Sequence, residues 1–264
     1  MLVVKNITKI FNVRTINEKV ALNNVSFTLN EGDFVTLIGG NGSGKSTLLN
    51  CVAGVYQIDQ GSIIIDGIDI TKLCEHKRAA LLGRVFQDPL LGTASNMWIE
   101  ENLALAFRRG QRRTLSWGIS SKEREYYKKL LSTLELGLEN RLSNKVGLLS
   151  GGQRQALALL MATLKKPKLL LLDEHTSALD PKTAQKVLEL SEKIIKEEKL
   201  TTLMVTHNMR EAIKHGNRLM MMYEGKIILD IKGEEKKKLT VEDLLIRFGT
   251  ISGEEFASDS ALLG

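Results

Sequence analysis

Short apolar runs bounded by turn residues recur along the chain, and such runs predict buried strands. The predicted strands are residues 25–29, 34–38, 62–65, 84–86, 169–172, 201–206, 219–223 and 227–231. Between Pro89 and Lys166 the apolar positions change to helical spacing, and a further helix is expected to begin at Pro181. The clearest predicted helices are residues 123–136, 153–164 and 181–198. Strands that alternate with helices imply an α/β fold with a mostly parallel sheet, interrupted by a helical lobe of about 80 residues.

The composition is that of a globular protein and excludes several other classes. Of 264 residues, 43% are apolar and 26% are charged, which rules out disordered and collagen-like chains. No apolar run reaches the length of a membrane-spanning helix, so we expect no span. The first residues lack the pattern of a secretory signal, and we expect the protein to stay in the cytosol.

The net charge and the two cysteines exclude few kinds of function. The net charge of +6 suits phosphates, nucleic acid or an anionic membrane surface, and it selects none of them. Cys51 and Cys74 lack metal-ligand spacing, and we interpret both as reduced structural thiols.

A glycine-rich segment follows the predicted strand 34–38 and precedes a predicted helix at 47–53. It matches the pattern GxxxxGK[ST], whose backbone N–H groups wrap a polyphosphate. The candidate nucleotide-binding residues are Gly39, Asn41, Gly42, Ser43, Gly44, Lys45, Ser46 and Thr47. We expect Lys45 to reach the β- and γ-phosphates and Ser46 to bind Mg²⁺. The alternative is a glycine-rich turn with a chance lysine.

Two acidic residues end the predicted strand 169–172. Because successive side chains of a strand face opposite ways, Asp173 and Glu174 cannot do the same work. We expect Asp173 to hold the Mg²⁺ shell and Glu174 to orient or deprotonate an attacking water. The alternative is an acidic pair that merely ends a strand.

A second helix start offers another anion site. Ser150, Gly151, Gly152 and Gln153, preceded by Leu149, open the predicted helix 153–164. Within one chain this site would compete for a phosphate that the first loop already holds, so we expect it to face the nucleotide of a second copy. A plain helix cap is the alternative.

With these three motifs the chain resembles the ATP-binding subunits of ABC transporters from residue 2 to about residue 248. The resemblance implies further site residues. Phe11 stands where the family stacks an aromatic ring on adenine, although a core phenylalanine is an alternative. Gln87 resembles the glutamine that touches the metal or water. His207 resembles the histidine that binds the γ-phosphate, and Asp180 resembles an interface residue, although Ser177 and Asp180 also suit a cap and turn.

The family also implies an architecture: a P-loop NTPase (RecA-like) core with an antiparallel β subdomain and an inserted α-helical subdomain. We expect one domain over residues 1–264, in which 1–87 and 167–250 form the core, 88–166 the helical subdomain and 251–264 a short tail. Two sites depart from the family pattern, because Gly40 and His175 stand where proline is usual. Neither departure removes a ligand. We expect His76, His175 and His215 to be structural.

The resemblance further implies cofactors and partners. ATP and Mg²⁺ are the expected ligands, and two copies are expected to close head to tail around ATP. Transmembrane permease subunits, and indirectly a solute-binding protein, are the other expected partners, which places the chain at the cytoplasmic face of the membrane. Two segments resemble the ATPase subunits of importers for aromatic and related amino acids. They are the residues from Asp173 to Pro181 and the last residues of the sequence, with Leu262 and Leu263.

Some alternatives remain open. An exporter is the nearest, because these motifs do not encode the direction of transport. A soluble ABC ATPase acting on nucleic acid or ribosomes is disfavoured, since the chain holds neither a long coiled-coil insertion nor a second cassette. The basic segment 108–113 with Trp117 reads as a solvated loop or as a contact with permease or lipid. We expect no nucleic acid partner.

Overall fold

The computed structural model describes residues 1–111 and 118–252. Within these residues the strands are β1 Leu2–Phe11, β2 Lys19–Leu29, β3 Phe34–Ile38, β4 Gln60–Ile65, β5 Ile68–Asp69, β6 Leu82–Val85, β7 Leu169–Asp173, β8 Thr202–Val205, β9 Arg218–Tyr223 and β10 Lys226–Lys232. The helices are α1 Lys45–Ala53, α2 Glu75–Arg78, α3 Ile99–Phe107, α4 Ser121–Ser132, α5 Gly151–Thr163, α6 Pro181–Glu198, α7 Met209–Lys214, α8 Glu234–Lys237 and α9 Val241–Ser252. The chain divides into two compact units.

Unit 1 comprises Met1–Arg78 and the chain from Lys199 onward, and it contains two sheets. In the first sheet β2, β1, β4 and β5 pair in that order, and every pairing is antiparallel. In the second sheet β3 pairs in parallel with both β8 and β9, and β10 adds an antiparallel edge beside β9. The five residues of β3 are all buried, as a strand covered on both faces requires.

Helices α7 and α9 cover one face of the second sheet with an apolar cluster. Its fully buried members include Ile38, Met221, Ala212 and Leu244. The charged segment before α9 forms the short helix α8, and the ammonium of its buried Lys236 donates to the carbonyls of His215 and Gly216. Lys236 therefore stabilises the end of α7, where helix carbonyls lack intrahelical donors.

Unit 2 comprises Ala79–Glu198 and carries a parallel pair of strands and the longest helices. Strands β6 and β7 pair in register from Leu82 with Leu169 to Val85 with Leu172. Helix α5 approaches β6 closely at Gly83, because a Cβ there would stand 2.5 Å from the carbonyl oxygen of Ala162. Helices α3, α4 and α5 enclose an apolar core around Leu103, Tyr127 and Leu157.

The structure confirms the α/β class, with parallel strands, a separate antiparallel sheet and helices. It confirms the helix 181–198 and the strand 34–38, whereas the bounds of other predicted elements differ, as three examples show. The strand predicted at 84–86 lies at Leu82–Val85, the helix predicted at 123–136 lies at Ser121–Ser132, and the strand predicted from residue 25 begins at Lys19. The sequence did not predict β1, β5, α2 or α7, and it indicated helical spacing around α3 without giving that helix bounds.

Several sequence-based expectations fall wholly or partly outside the described residues. They are the tail at 251–264 beyond residue 252, with Leu262 and Leu263, and the part of the basic segment that holds Arg112, Arg113 and Trp117. The described part of that segment is anchored within unit 2. Arg108 forms an ion pair of 2.8 Å with Glu123, and Arg109 donates to the carbonyl of Ala162 at 3.1 Å. These two arginines are therefore not simply solvated.

Candidate functional site

The phosphate loop connects β3 to α1 and depends on glycine at three positions. Gly39, Gly42 and Gly44 have φ values of +152°, +78° and +105°. A Cβ on Gly39 would collide with the carbonyl oxygen of Met222, and one on Gly44 would stand 2.6 Å from that of Ala21. These conformations and close approaches explain why the loop cannot carry side chains there. A Cβ on Gly40 would have no neighbour within 4 Å, so this position has room for a side chain.

Lys45 lies at the base of the loop as the first residue of α1. The lysine is buried, and its ammonium donates to the carbonyls of Gly39 at 2.7 Å and Gly40 at 3.0 Å. Gly44 precedes α1 without a side-chain cap, so the first N–H groups of this helix are not satisfied by a cap. A buried cation beside a helix N-terminus favours an anion.

Three further residues lie in or beside the loop. The hydroxyl of Ser43 is buried without a hydrogen-bond partner, while the Ser43 carbonyl accepts from the N–H of Gly225 at 3.0 Å. The side chain of Ser46 is exposed. Lys19, which no sequence motif indicates, brings its Nζ to 3.7 Å from where a Cβ on Gly42 would stand. Nothing in the sequence around Lys19, at the start of β2, indicates that this lysine lies near the phosphate loop.

Phe11 ends β1 and packs edge-to-face on Tyr56, with ring centroids 5.3 Å apart. The ammonium of Lys9 lies 5.5 Å from the centre of the Phe11 ring. Phe11 is only partly buried, so it is not a residue of the apolar core. Its stacking on adenine stays a prediction.

His207 is exposed two residues beyond β8. The turn around it is fixed by its neighbours. The Thr206 hydroxyl donates to the Glu211 carboxylate at 2.9 Å, and the Asn208 side chain accepts from the Glu211 N–H at 3.2 Å, which caps α7. His207 thus projects from a rigid turn at the carboxyl end of a parallel strand, where α/β sheets bind ligands.

In unit 2 the two predicted acids end β7 with different environments. Asp173 is an ion-pair partner of Arg84, whose Nη2 lies 3.0 Å from the Asp173 Oδ2. Glu174 has a left-handed backbone, with φ of +42°, and its carbonyl accepts from both the N–H and the hydroxyl of Ser177. His175 is buried, and its Nε2 lies 3.0 Å from the Ser191 hydroxyl. Asp173 and Glu174 are therefore adjacent in sequence but differ in backbone conformation and in their contacts.

Gln87 is exposed just beyond β6, after Phe86. The carbonyl of Phe86 accepts from the side-chain amide of Gln155 at 3.1 Å. Gln155 is completely buried on α5, so this bond ties the strand end that carries Gln87 to the helix that the serine-glycine motif opens.

The motif at 150–153 forms a capping box. The Ser150 hydroxyl accepts from the Gln153 N–H at 3.3 Å, and the Gln153 side chain accepts from the Ser150 N–H at 3.2 Å. The cap that the sequence allowed is therefore present. Gly151 and Gly152 supply backbone N–H groups in the first turn of α5, which is the geometry that favours an anion.

Asp180 caps α6. Its Oδ1 accepts from the N–H of Thr183 at 3.1 Å, and hydrogen bonding by Thr183 holds the pKa of the Asp180 carboxyl below its usual range. Within one copy, Asp180 therefore acts as a helix cap. The interface role of Asp180 stays a prediction.

The candidate metal ligands are oxygen donors. Asp173 offers a carboxylate, Ser46 a hydroxyl and Gln87 an amide, a set that suits Mg²⁺ rather than a soft metal. Within residues 1–111 and 118–252, no three His, Cys, Asp or Glu side chains gather as a metal site. The donor chemistry of each of these residues suits Mg²⁺, which proteins usually hold with one or two carboxylates together with phosphate oxygens.

Comparison with known proteins identifies related chains. Residues 22–177 match the family model described as ABC transporter. The tyrosine transport ATP-binding protein of Clostridioides difficile (strain R20291) is 46% identical over 248 residues, which cover 94% of this chain and 98% of that protein. The methionine import ATP-binding protein MetN of Clostridium tetani (strain Massachusetts / E88) is 34% identical, with 93% of this chain and 76% of that protein covered.

Solved structures share the fold. The dimeric, post-hydrolysis structure of the ATP-binding cassette MJ0796 bound to ADP and Pi has a TM-score of 0.75 and 31% identity, covering 88% of this chain and 98% of that one. The ADP conformation of MJ1267, described as an ATP-binding cassette of an ABC transporter, has a TM-score of 0.75 and 29% identity, covering 94% and 98%. The similarity extends over nearly the full length of both cassettes.

Proposed function

Because the chain belongs to the ABC transporter family as an ATP-binding subunit with ATPase activity, we propose that it energises the import of a small solute such as an amino acid. The observation that carries this proposal is the 46% identity to a tyrosine transport ATP-binding protein across nearly all of both chains. Relatives named for methionine import and for spermidine and putrescine import support the direction of transport.

In the proposed reaction, the loop at 39–47 binds the ATP phosphates and Lys45 contacts the β- and γ-phosphates. Phe11 stacks on adenine. Lys45 reaches the nucleotide by exchanging its present carbonyl partners, Gly39 and Gly40, for phosphate oxygens, which are stronger partners because they are charged. The backbone N–H groups at the start of α1 add their donors to the same anion.

The acidic residues of unit 2 supply the hydrolytic chemistry of the proposal. Asp173, with Ser46 and Gln87, would hold Mg²⁺, which when bound neutralises charge that develops on the phosphates. Glu174 accepts a proton from the attacking water or orients it, and His207 donates a hydrogen bond to the γ-phosphate. Glu174 is only partly buried and His207 is exposed, so both side chains are accessible for these roles.

We further propose that two copies close head to tail, with Ser150, Gly151, Gly152 and Gln153 of one copy facing the loop 39–47 of the other and Asp180 at their interface. Ser150 would then exchange its cap hydrogen bond for a contact with phosphate. The dimeric structures of MJ0796 support the association of two copies. Hydrolysis removes a phosphate that both copies bind, which favours opening of the dimer.

The proposed partners are transmembrane permease subunits, and through them a solute-binding protein. No helix within the described residues is both long and apolar enough to cross a membrane. Because relatives are named as ATP-binding proteins of transport systems, we propose that the chain acts peripherally, at the cytoplasmic face of the membrane, and that the permease supplies the path for the solute.

The test is purification of the intact complex from membranes through a tag on this chain, followed by identification of its subunits. A permease together with a solute-binding protein, and ATP-dependent tyrosine or methionine uptake in proteoliposomes, are the expected results. The Lys45→Ala variant is the matched control and should assemble without driving uptake. A permease with no binding protein and outward transport would overturn import, and turnover stimulated by nucleic acid would overturn the transport assignment.

A further inference from the structure

An arginine that none of the motifs includes pairs with the candidate metal ligand. The Arg84 guanidinium lies 3.0 Å from Asp173, and the two side chains are only 13% and 16% exposed. A pair this far from solvent is weakly screened, so the charge of Arg84 acts strongly on the carboxylate.

The guanidinium is held in place from more than one side. Arg84 and Phe86 are two residues apart along an extended segment, and the guanidinium carbon lies 4.5 Å from the centre of the Phe86 ring. Arg84 faces Leu171 in the β6–β7 register, which puts its side chain beside the strand that ends at Asp173. The Nε of Arg84 is buried without a hydrogen-bond partner, and the Nη2 nitrogen of the same guanidinium donates to the Asp173 carboxylate.

We propose that Arg84 is a tethered counter-ion that weakens the binding of a free divalent cation to Asp173, so that Mg²⁺ is retained only together with nucleotide phosphates. The inference rests on the proposed role of Asp173 as a metal ligand. Arg84 is a positioning residue in this scheme, because it acts through Asp173 and touches neither metal nor nucleotide.

Two physical effects of Arg84 on metal binding oppose each other. The guanidinium orients one carboxylate oxygen, which assists a metal that binds the other, and its positive charge repels the metal. The repulsion dominates, because a fixed cation within a few ångströms is an order-of-magnitude effect on affinity, whereas the orientation of a short aspartate side chain contributes less.

The experiment measures binding of Mn²⁺, as a spectroscopic probe for Mg²⁺, to the nucleotide-free protein by electron paramagnetic resonance. We expect Arg84→Met to bind Mn²⁺ at least about tenfold more tightly than the wild type. Arg84→Lys retains the charge and should stay close to the wild type. In the double variant Arg84→Met with Asp173→Asn the gain should disappear, because the anion that Arg84 compensates is gone.

Equal Mn²⁺ affinity in Arg84→Met and the wild type would overturn the inference, and so would a gain that survives Asp173→Asn. If Arg84→Met does not fold, Arg84→Gln keeps a donor for Asp173 without the charge and carries the same expectation. ATP binding by the wild type, measured in parallel, tests the proposed function separately. If the wild type binds ATP normally but the Arg84 variants bind Mn²⁺ as the wild type does, only the role of Arg84 is rejected. If the wild type does not bind ATP, the proposed function is rejected.

Discussion

Gly152, in the first turn of α5, lies directly against the side-chain methyl group of Thr183 in the first turn of α6. The two helices begin with the two motifs that the proposed dimer uses, and this contact sets how closely their first turns approach. Alanine in place of a helical glycine ordinarily stabilises a helix. Here the added methyl group has no space, so the sign of the effect should reverse.

We expect Gly152→Ala to lower the free energy of unfolding by about 1–3 kcal/mol, as overpacking of a tight contact does. Chemical denaturation measures the change. Thr183→Ser removes the methyl group and keeps the backbone N–H that Asp180 caps, so the double variant should recover most of the loss. A Gly152→Ala protein as stable as the wild type would show that α5 and α6 are not in tight contact.

Glu174→Gln should trap the ATP-bound dimer, because it keeps the size of the side chain and removes its capacity to accept a proton. We expect turnover to fall at least about 100-fold, a typical loss when a general base is removed. Size-exclusion chromatography with and without MgATP should show the variant as a dimer only with nucleotide. Adding Lys45→Ala should return it to a monomer. Unchanged turnover would contradict the assigned role.

Arg78 is a buried cation that organises the backbone between α1 and α2. Its guanidinium donates to the carbonyls of Cys51, Val52, Leu73 and Thr71. Burial lowers the pKa of Arg78, and the four acceptors would be left without this donor on its removal. We expect Arg78→Met to cost at least about 3 kcal/mol of stability. Lys77→Met, at an exposed neighbour on the same helix, is the control and should be nearly neutral.

The two cysteines should differ sharply in reactivity. Cys74 is exposed, whereas Cys51 is buried, and burial raises the pKa of the Cys51 thiol from 9.0 to about 11. Because the thiolate is the nucleophile, a maleimide should label Cys74 in the folded protein and Cys51 only after unfolding. In Cys74→Ser we expect no labelling without denaturant. Rapid labelling of that variant would show that α1 opens locally.

The same pKa shift predicts a pH dependence of stability. Between pH 9 and 11 the unfolded chain loses the Cys51 proton while the folded chain keeps it, so the free energy of unfolding falls as the pH rises. In Cys51→Ala this contribution is absent, and its stability should decline less steeply across the same range. Parallel slopes for the two proteins would contradict the shift.

The sequence predicted those strands and helices whose apolar residues follow one regular spacing over the whole element. The apolar runs of β3 and β7 and the proline at the start of α6 are of this kind. β1 escaped prediction because its pairing register shifts at several points and Asn6 has φ of +48°, so its side chains do not alternate regularly between buried and exposed faces. A bulged strand has no simple period to detect.

The candidate site was predictable to the extent that its motifs are contiguous. The loop at 39–47 and the acids after β7 were identified from spacing alone, and the structure describes each in the expected local setting. Arg84 was missed although it offers a signal, since a charged residue inside an apolar strand requires a partner. Arg78 and Lys236 offer none, because they bind backbone carbonyls, whose positions depend on tertiary packing.

The left-handed backbone at Glu174 has a practical consequence for protein engineering. A non-glycine residue in this conformation costs on the order of 1 kcal/mol, and glycine at the same place would avoid the cost. Directed evolution that selects this chain for heat resistance alone would therefore favour loss of the carboxylate at position 174. Under the proposed role of Glu174, variants recovered in that way would be more stable and would lack turnover, so a thermostability screen of this subunit needs a transport readout beside it.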